Sequence, residues 1–312
     1  MIVGKASRPW PHCKPARHDL HATLNSIAAD AAQFHQLMTQ ATPRLQLSDA
    51  GLRPVHPATA LDETGTSREV SIAGEHPLTL YVDKREVVTL MTLGTHPEAL
   101  ALGFLRNQGL IENLTDLVSI QVDWEVDAAA VTTRDGQIDW DAKLAKRTVT
   151  SGCGQGTQFG NLIEKIEATQ LPAVTIRQSL LYDLLATLSK ENAIYKAAGA
   201  VHACALCRGT EVLYFVEDVG RHNALDAIAG KMWLDDIDGG SCILYTTGRV
   251  TSEMVIKATQ MGVPVLLSRS GMTHMGLHLG QTVDMLLVAR AKGRHFLAFH
   301  GGDRIEFDAV PA

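Results

Sequence analysis

Hydrophobic and polar residues follow two different periods along this chain, and the change of period divides it. Across residues 18–40, Leu20, Leu24, Ile27, Ala31, Phe34 and Met38 recur every three or four positions, which predicts one amphipathic helix. Residues 1–17 carry no period, and residues 42–69, with Pro43, Pro54 and Pro57, read as a linker. Residues 77–90 alternate as a hairpin turning at Asp83-Lys84. Thr95, with Glu98 three positions on and Pro97 in the first turn, predicts a capped helix that Gly109 closes. Residues 118–150 then alternate as a meander with a turn at Arg134-Asp135-Gly136.

The helical period returns at residues 162–169 and 178–197, where Leu180, Leu181, Leu184, Leu185 and Leu188 form an apolar face. Residues 201–207 and 211–216 read as paired strands. From there helices (about 223–233, 252–261 and 273–281) alternate with short apolar strands (242–246, 263–267, 284–288), and 296–299 closes as a last strand. That order predicts an α/β fold with a largely parallel sheet and helices on its faces.

Composition narrows the class. With 312 residues, 46% of them hydrophobic and 20% charged, the chain can bury a large core. A formal net charge of −6 argues against a general nucleic-acid surface. Five cysteines do not suggest a disulfide framework, so a reducing, cytoplasmic setting is expected. No apolar run approaches the ~20 residues needed to span a bilayer, and the start has no signal-peptide core. The irregular spacing of His12, Cys13, His18 and His21 matches no metal-ligand pattern.

Chemistry is expected where the strands end. The segments EDVGRHN (217–223), TTGRVTS (246–252), SRSGMTH (268–274) and ARAKGR (289–294) each follow or end a strand and each brings an arginine: Arg221, Arg249, Arg269, then Arg290 and Arg294. In an open α/β sheet the carboxyl ends of strands form the ligand crevice, where helix N-termini offer free N–H groups. Arginine adds paired donors suited to phosphate. One Gly-Arg corner alone is an ordinary solvated turn, whereas four in succession point to a ligand with more than one phosphate. His222 can serve there as acid, base or phosphate donor, or as a capping residue. No Walker loop or strand-linked G-x-G-x-x-G is present. Cys204 and Cys207 form a C-x-x-C, but on a strand residues three apart face opposite sides, which spoils shared metal ligation.

A second candidate lies at TVTSGCGQGTQFG (148–160), where Cys153 has glycines at 152, 154 and 156. Such a segment is a loop. It fits either a small buried side chain at a glycine turn or a thiol that a second sulfur can approach closely. Lys146 and Arg147 are near in sequence.

These segments, together with GFLRNQGLI (103–111), SGCG (151–154), EDVGRHNALD (217–226), TTGRVTSEMVIKA (246–258) and LLSRSGMT (266–273), resemble the formate dehydrogenase accessory sulfurtransferase family, FdhD, over about residues 67–301. The resemblance implies a cytoplasmic, homodimeric protein with a cytidine-deaminase-like α/β fold, its sheet mixed or mostly parallel with flanking helices. It implies that sulfur is taken as a persulfide from a cysteine desulfurase and passed to the bis-molybdopterin guanine dinucleotide cofactor of formate dehydrogenase. Cys153 matches the family's persulfide-carrying cysteine. Val288, Ala289, Arg290, Ala291, Lys292, Gly293 and Arg294 match its cofactor-contacting segment, and Arg221, His222, Arg249 and Arg269 join them as candidate cofactor-binding residues. No permanent metal, nucleic acid or membrane partner is expected. The resulting division is an extension (1–66), a β-rich subdomain (67–150), and the sulfur-carrying loop with the α/β domain (151–312). Two departures stand out. Gly156 replaces the second cysteine of the family's usual C-x-x-C loop, which leaves open a chaperone that delivers cofactor without handling sulfur. His202-Ala-Cys204 lacks the glutamate of the deaminase H-x-E, which argues against deamination.

Overall fold

The computed structural model describes residues 44–134, 136, 148–149, 156–157, 166 and 168–311, with backbone alone at 148–149 and 156–157. The chain divides into two compact units, Met1–Pro43 and Arg44–Ala312, and the second is described. The helix expected at 18–40, most of the helix expected at 162–169, the tail of the meander and Cys153 itself lie outside the described residues.

The stretch that reads as a linker is ordered. Its prolines do not prevent pairing: β1 (Gln46–Leu47) adds parallel to a later strand, and β2 (Val55–Leu61) pairs antiparallel with β3 (Ser67–Ala73), Val55 facing Ala73. Pro57 is tolerated because β2 has a partner on one side only among the described residues. β4 (His76–Val82) and β5 (Arg85–Thr92) form the expected hairpin. Asp83 and Lys84 both take positive φ, 47° and 70°, as a tight two-residue turn demands.

Helix α1 (Pro97–Asn107) begins with Pro97 as expected, but its N-cap is His96 rather than Thr95, with no side-chain cap. Glu98 is engaged elsewhere, accepting from Ser48 Oγ at 2.6 Å and from the Ala50 amide at 2.9 Å, so no capping box closes. Gly109 ends the helix at φ 66°. β6 (Leu117–Asp123) and β7 (Ala128–Thr133) then complete a five-stranded sheet in the order β1-β6-β7-β4-β5. β8 (Thr148–Val149) and β9 (Gly156–Thr157) pair antiparallel, flanking the sequence that contains Cys153.

The helix expected across 178–197 is two helices. After β10 (Ile176–Arg177), α2 (Gln178–Glu191) ends at Asn192, and α3 (Ala193–Ala198) restarts because the Glu217 carboxylate accepts from the amides of Ile194 and Tyr195, both at 2.9 Å. A carboxylate at a helix start meets unpaired N–H groups and the positive end of the dipole.

The second sheet contains β11 (His202–Arg208), β12 (Glu211–Asp218), β13 (Ile243–Thr246), β14 (Val265–Ser268), β15 (Leu286–Lys292) and β16 (His295–His300), in the order β12-β11-β13-β14-β15-β16. Only β13-β14-β15 run parallel; the other three pairings are antiparallel. The sheet is therefore mixed, as expected, with parallel pairing confined to those three strands rather than prevailing. Hairpin connections β11–β12 and β15–β16 are too short for a parallel crossover, which needs a dozen residues or more. A final strand, β17 (Ile305–Glu306), pairs with β10.

Helix α4 (Arg221–Leu234) packs between α1 and strands β11 and β12, so nearly every residue from His222 to Met232 is buried. This explains why it has little amphipathic pattern. The α1–α4 crossing is backbone-close: a Cβ on Gly103 would lie 1.7 Å from the Asp226 carbonyl oxygen, and one on Gly230 2.0 Å from that of Ala99. Helices α5 (Ser252–Gln260) and α6 (His274–Thr282) follow β13 and β14. One apolar cluster joins the five-stranded sheet, α1, α4, α5 and one face of the second sheet; Leu181, Leu184, Leu185 and Leu188 of α2 cover the other face. Cys204 belongs to the first cluster and Cys207 to the second, so the two thiols do face opposite sides.

Candidate functional site

Strand direction brings the arginine corners together. β13 and β14 run parallel with Thr246 opposite Ser268, and β11 runs against β13 so that its first residues lie beside the end of β13. The segments beyond are laced by hydrogen bonds. The Thr247 amide donates to the Ala203 carbonyl and the Ala203 amide to Thr247 Oγ1, both at 2.9 Å. Ser268 Oγ donates to the Gly248 carbonyl at 2.7 Å, the Arg269 amide to Thr246 O at 3.0 Å, and the Arg290 amide to Ser270 O at 2.9 Å. Arg221, Arg249, Arg269 and Arg290 thus arise at one end of the second sheet. Arg290 reaches there by a bulge in β15, where its φ is 51°.

The corner that leads into α4 is anchored by Asp218. Its Oδ2 accepts from Thr92 Oγ1 and from the Leu93 amide, and its Oδ1 from the Gly220 amide and Asn223 Nδ2. Burial raises the Asp218 carboxyl above its usual range, and those four donors oppose the shift. Arg221 rests on Gly248, where a Cβ would lie 2.6 Å from its Cδ.

His202, which the sequence does not single out as a site residue, sits at the centre. Burial, then the charges of Arg221 and Arg249, hold it below the ordinary imidazole value. A cavity of about 360 Å³ opens beside it, lined by Asn192, Tyr195, Ala203, Glu217, Thr247, Arg269 and Ser270 among others. Tyr195 and Asn192 carry no motif; they arrive because the long helix breaks at Asn192. The signal available for His202 was its place at the start of a strand; the pairing of that strand against β13, which brings it here, comes from the fold.

The remaining candidates separate. Val288, Ala289 and Ala291 are fully buried, so their side chains face the core, whereas Arg290, Lys292, Gly293 and Arg294 are exposed. The Arg294 guanidinium lies 5.6 Å from the Tyr182 ring centre on α2. His222 is buried at 2% exposure, and neither ring nitrogen makes a hydrogen bond; Nδ1 lies 3.5 Å from Glu253 Oε1. Burial first, then Lys257, pushes its pKa down to about 3, so it is neutral at neutral pH. Behind it Lys257 Nζ donates to Asp226 Oδ2 at 2.7 Å, and Asn107 Nδ2 donates to Asp226 Oδ1 at 2.8 Å. Burial pushes the thiols of Cys204 and Cys207 up to about 12, which makes them poor nucleophiles. No cluster of three or more metal-ligating side chains occurs among the described residues.

Fold and site together define a mixed α/β protein that gathers four arginines at one end of its second sheet. A model of the FdhD/NarQ family matches residues 73–306, and the chain belongs to that family. Curated relatives include the sulfur carrier protein FdhD of Listeria monocytogenes, 29% identical over 78% of this chain and 95% of the relative. That of Geobacillus kaustophilus is 31% identical over 76% of this chain and 90% of the relative. Among solved structures, a protein assigned as a formate dehydrogenase accessory protein from Desulfotalea psychrophila superposes with a TM-score of 0.66 at 23% identity, covering 81% of this chain and 98% of that one; the likeness extends to the fold. No helix among the described residues is long and apolar enough to cross a membrane.

Proposed function

We propose that this protein is a sulfur carrier for formate dehydrogenase. It takes sulfur from a cysteine desulfurase on Cys153 and passes it to a bis-molybdopterin guanine dinucleotide held at the arginine end of the second sheet. The observation that carries the reading is the convergence of Arg221, Arg249, Arg269 and Arg290 on that end, in a chain whose family match spans Cys153. A dinucleotide cofactor carries several phosphates, and arginine forks at strand ends suit them. In the first step the Cys153 thiolate attacks the outer sulfur of the donor's cysteine persulfide. The donor S–S bond breaks, the donor cysteine leaves as thiolate, and Cys153 holds the new S–S bond. One thiol suffices, so Gly156 in place of a second cysteine does not block it. The cytidine-deaminase-like relationship, the homodimer and a cytoplasmic setting belong to the same reading.

The test is mass spectrometry after incubation with a cysteine desulfurase and cysteine. One sulfur atom should be added at Cys153 and released by thiol reductant, Cys153→Ala should gain none, and cells carrying only Cys153→Ala should lose formate dehydrogenase activity. An unmodified Cys153 together with full activity in Cys153→Ala cells would leave only delivery of the cofactor without sulfur.

A further inference from the structure

The junction between the first hairpin and the five-stranded sheet holds a pair of histidines that neither the sulfur-transfer reading nor the family match accounts for. His56 lies on β2, outside the matched residues 73–306, and His76 opens β4. Between them the chain turns through Gly74, whose amide donates to the Pro54 carbonyl at 2.9 Å. A Cβ placed on Gly74 would lie 3.2 Å from His56 Nε2 and 3.3 Å from His76 Nε2. Both nitrogens therefore border one small volume that is open because residue 74 has no side chain. His76 Nε2 is buried and has no hydrogen-bond partner, a situation that proteins normally avoid.

We infer that His56 and His76 form a two-histidine site for a divalent transition-metal ion such as Ni²⁺, Cu²⁺ or Zn²⁺. An ion about 2.1 Å from an imidazole nitrogen stands roughly 3.2 Å from that ring's centre, so two rings sharing it have centres no more than ~6.4 Å apart. The observed centres are 6.1 Å apart with the planes at 61°. That separation lies inside the limit, and the exposed His56 side chain is free to turn toward an ion shared with His76. Among the described residues no third His, Cys, Asp or Glu joins the cluster, so water completes the shell and the ion is exchangeable. Imidazole donors favour nickel, copper and zinc over manganese. Bound there, the ion crosslinks β2 to β4 and fixes the first hairpin to the five-stranded sheet.

Trp124 supplies a local reporter, its ring centre 5.8 Å from that of His76. In the full chain, titration with Ni²⁺ should quench part of the tryptophan emission and raise the melting temperature. Mn²⁺ at the same concentration should do neither. His56→Ala and His76→Ala should each weaken that quenching component roughly tenfold or more, the scale of one lost ligand. Gly74→Ala keeps both imidazoles and fills the space between them; it should abolish the component while the metal-free melting temperature stays near that of the parent. Trp124→Phe should remove the signal and leave the Ni²⁺-dependent rise in melting temperature. Quenching that survives Gly74→Ala or His76→Ala with an unchanged midpoint, or no Ni²⁺ response in the parent protein, would overturn the assignment. Exposed His274 and His278, one turn apart on α6, are distinguished by Gly74→Ala and His76→Ala, which leave that pair intact.

Discussion

Replacing Lys257 by methionine tests how the floor beneath the arginine corner is held. Lys257 is 2% exposed and lies 2.7 Å from Asp226 and 3.6 Å from Glu253, both also buried. Methionine preserves the length and apolar bulk but removes the cation, leaving Asp226 charged and 1% exposed, with Asn107 still donating to it. Breaking a buried pair by removing one partner costs about 3–5 kcal/mol, because the other charge stays behind. At roughly 2–4 °C per kcal/mol for a chain of this size, the melting temperature should fall by on the order of 10 °C. The double variant Asp226→Asn/Lys257→Met should recover more than half of that loss. It has no stranded charge at residue 226, and the Asn carbonyl still accepts from Asn107. Burial already raises the Asp226 carboxyl above its usual range. An acid whose folded pKa is raised favours the folded state as pH falls through that value, so the single variant's deficit should shrink toward acid. Urea denaturation at several pH values reads all three quantities. A single variant within about 1 kcal/mol of the parent at neutral pH, or a double variant no more stable than the single, would refute the account of a buried ion pair tying Lys257 of α5 to Asp226 of α4.

Two further outcomes follow from the same region. Gly248→Ala places a Cβ 2.6 Å from Arg221 Cδ and so displaces that guanidinium; binding of GDP as a probe anion should weaken by about tenfold with a shallower salt dependence, the scale of one charge-assisted hydrogen bond. An unchanged affinity and slope would take Arg221 out of the site. Folded His222 has a pKa near 3 against 6.5 for the free side chain, through burial first, and His96 falls to about 4 for the same leading reason. A base held below its unfolded value contributes stability that is complete above pH 6.5 and lost as pH falls toward the folded pKa. The His222 share amounts to no more than roughly 5 kcal/mol, and His222→Gln should flatten the stability curve between pH 6.5 and 3; an unaltered slope would show that His222 is not buried neutral.

The hairpin at Asp83-Lys84, the leucine face of α2 and the strand–helix alternation after residue 242 were legible because each is a local pattern with its own period. The ordered hairpin at 55–73 was not, since Pro54, Pro57 and Gly65 are the composition of a linker and only pairing of β2 with β3 overrides it. The break at Asn192 was hidden as well, because its cause, Glu217, is a strand residue more than twenty positions away. His222 reads in the sequence as an acid, a base or a phosphate donor, or as a capping residue, beside Arg221. In the fold it turns inward, since α4 is covered on two sides.

The sequence by itself determined that Arg221, Arg249 and Arg269 sit beyond apolar strands, because strand ends and turn residues are set by neighbours in the chain, whereas Arg290, expected after a strand ending at residue 288, lies inside β15 at a bulge. It equally determined that Cys204 and Cys207 face opposite ways, which follows from the two-residue period of any strand. Only the tertiary structure decided that β11 runs against β13 and so delivers His202 among those arginines, that α3 brings Tyr195 to the same cavity, and that Val288, Ala289 and Ala291 face the core. Which strand becomes whose neighbour is a matter of long-range burial and pairing, to which no local window of residues has access.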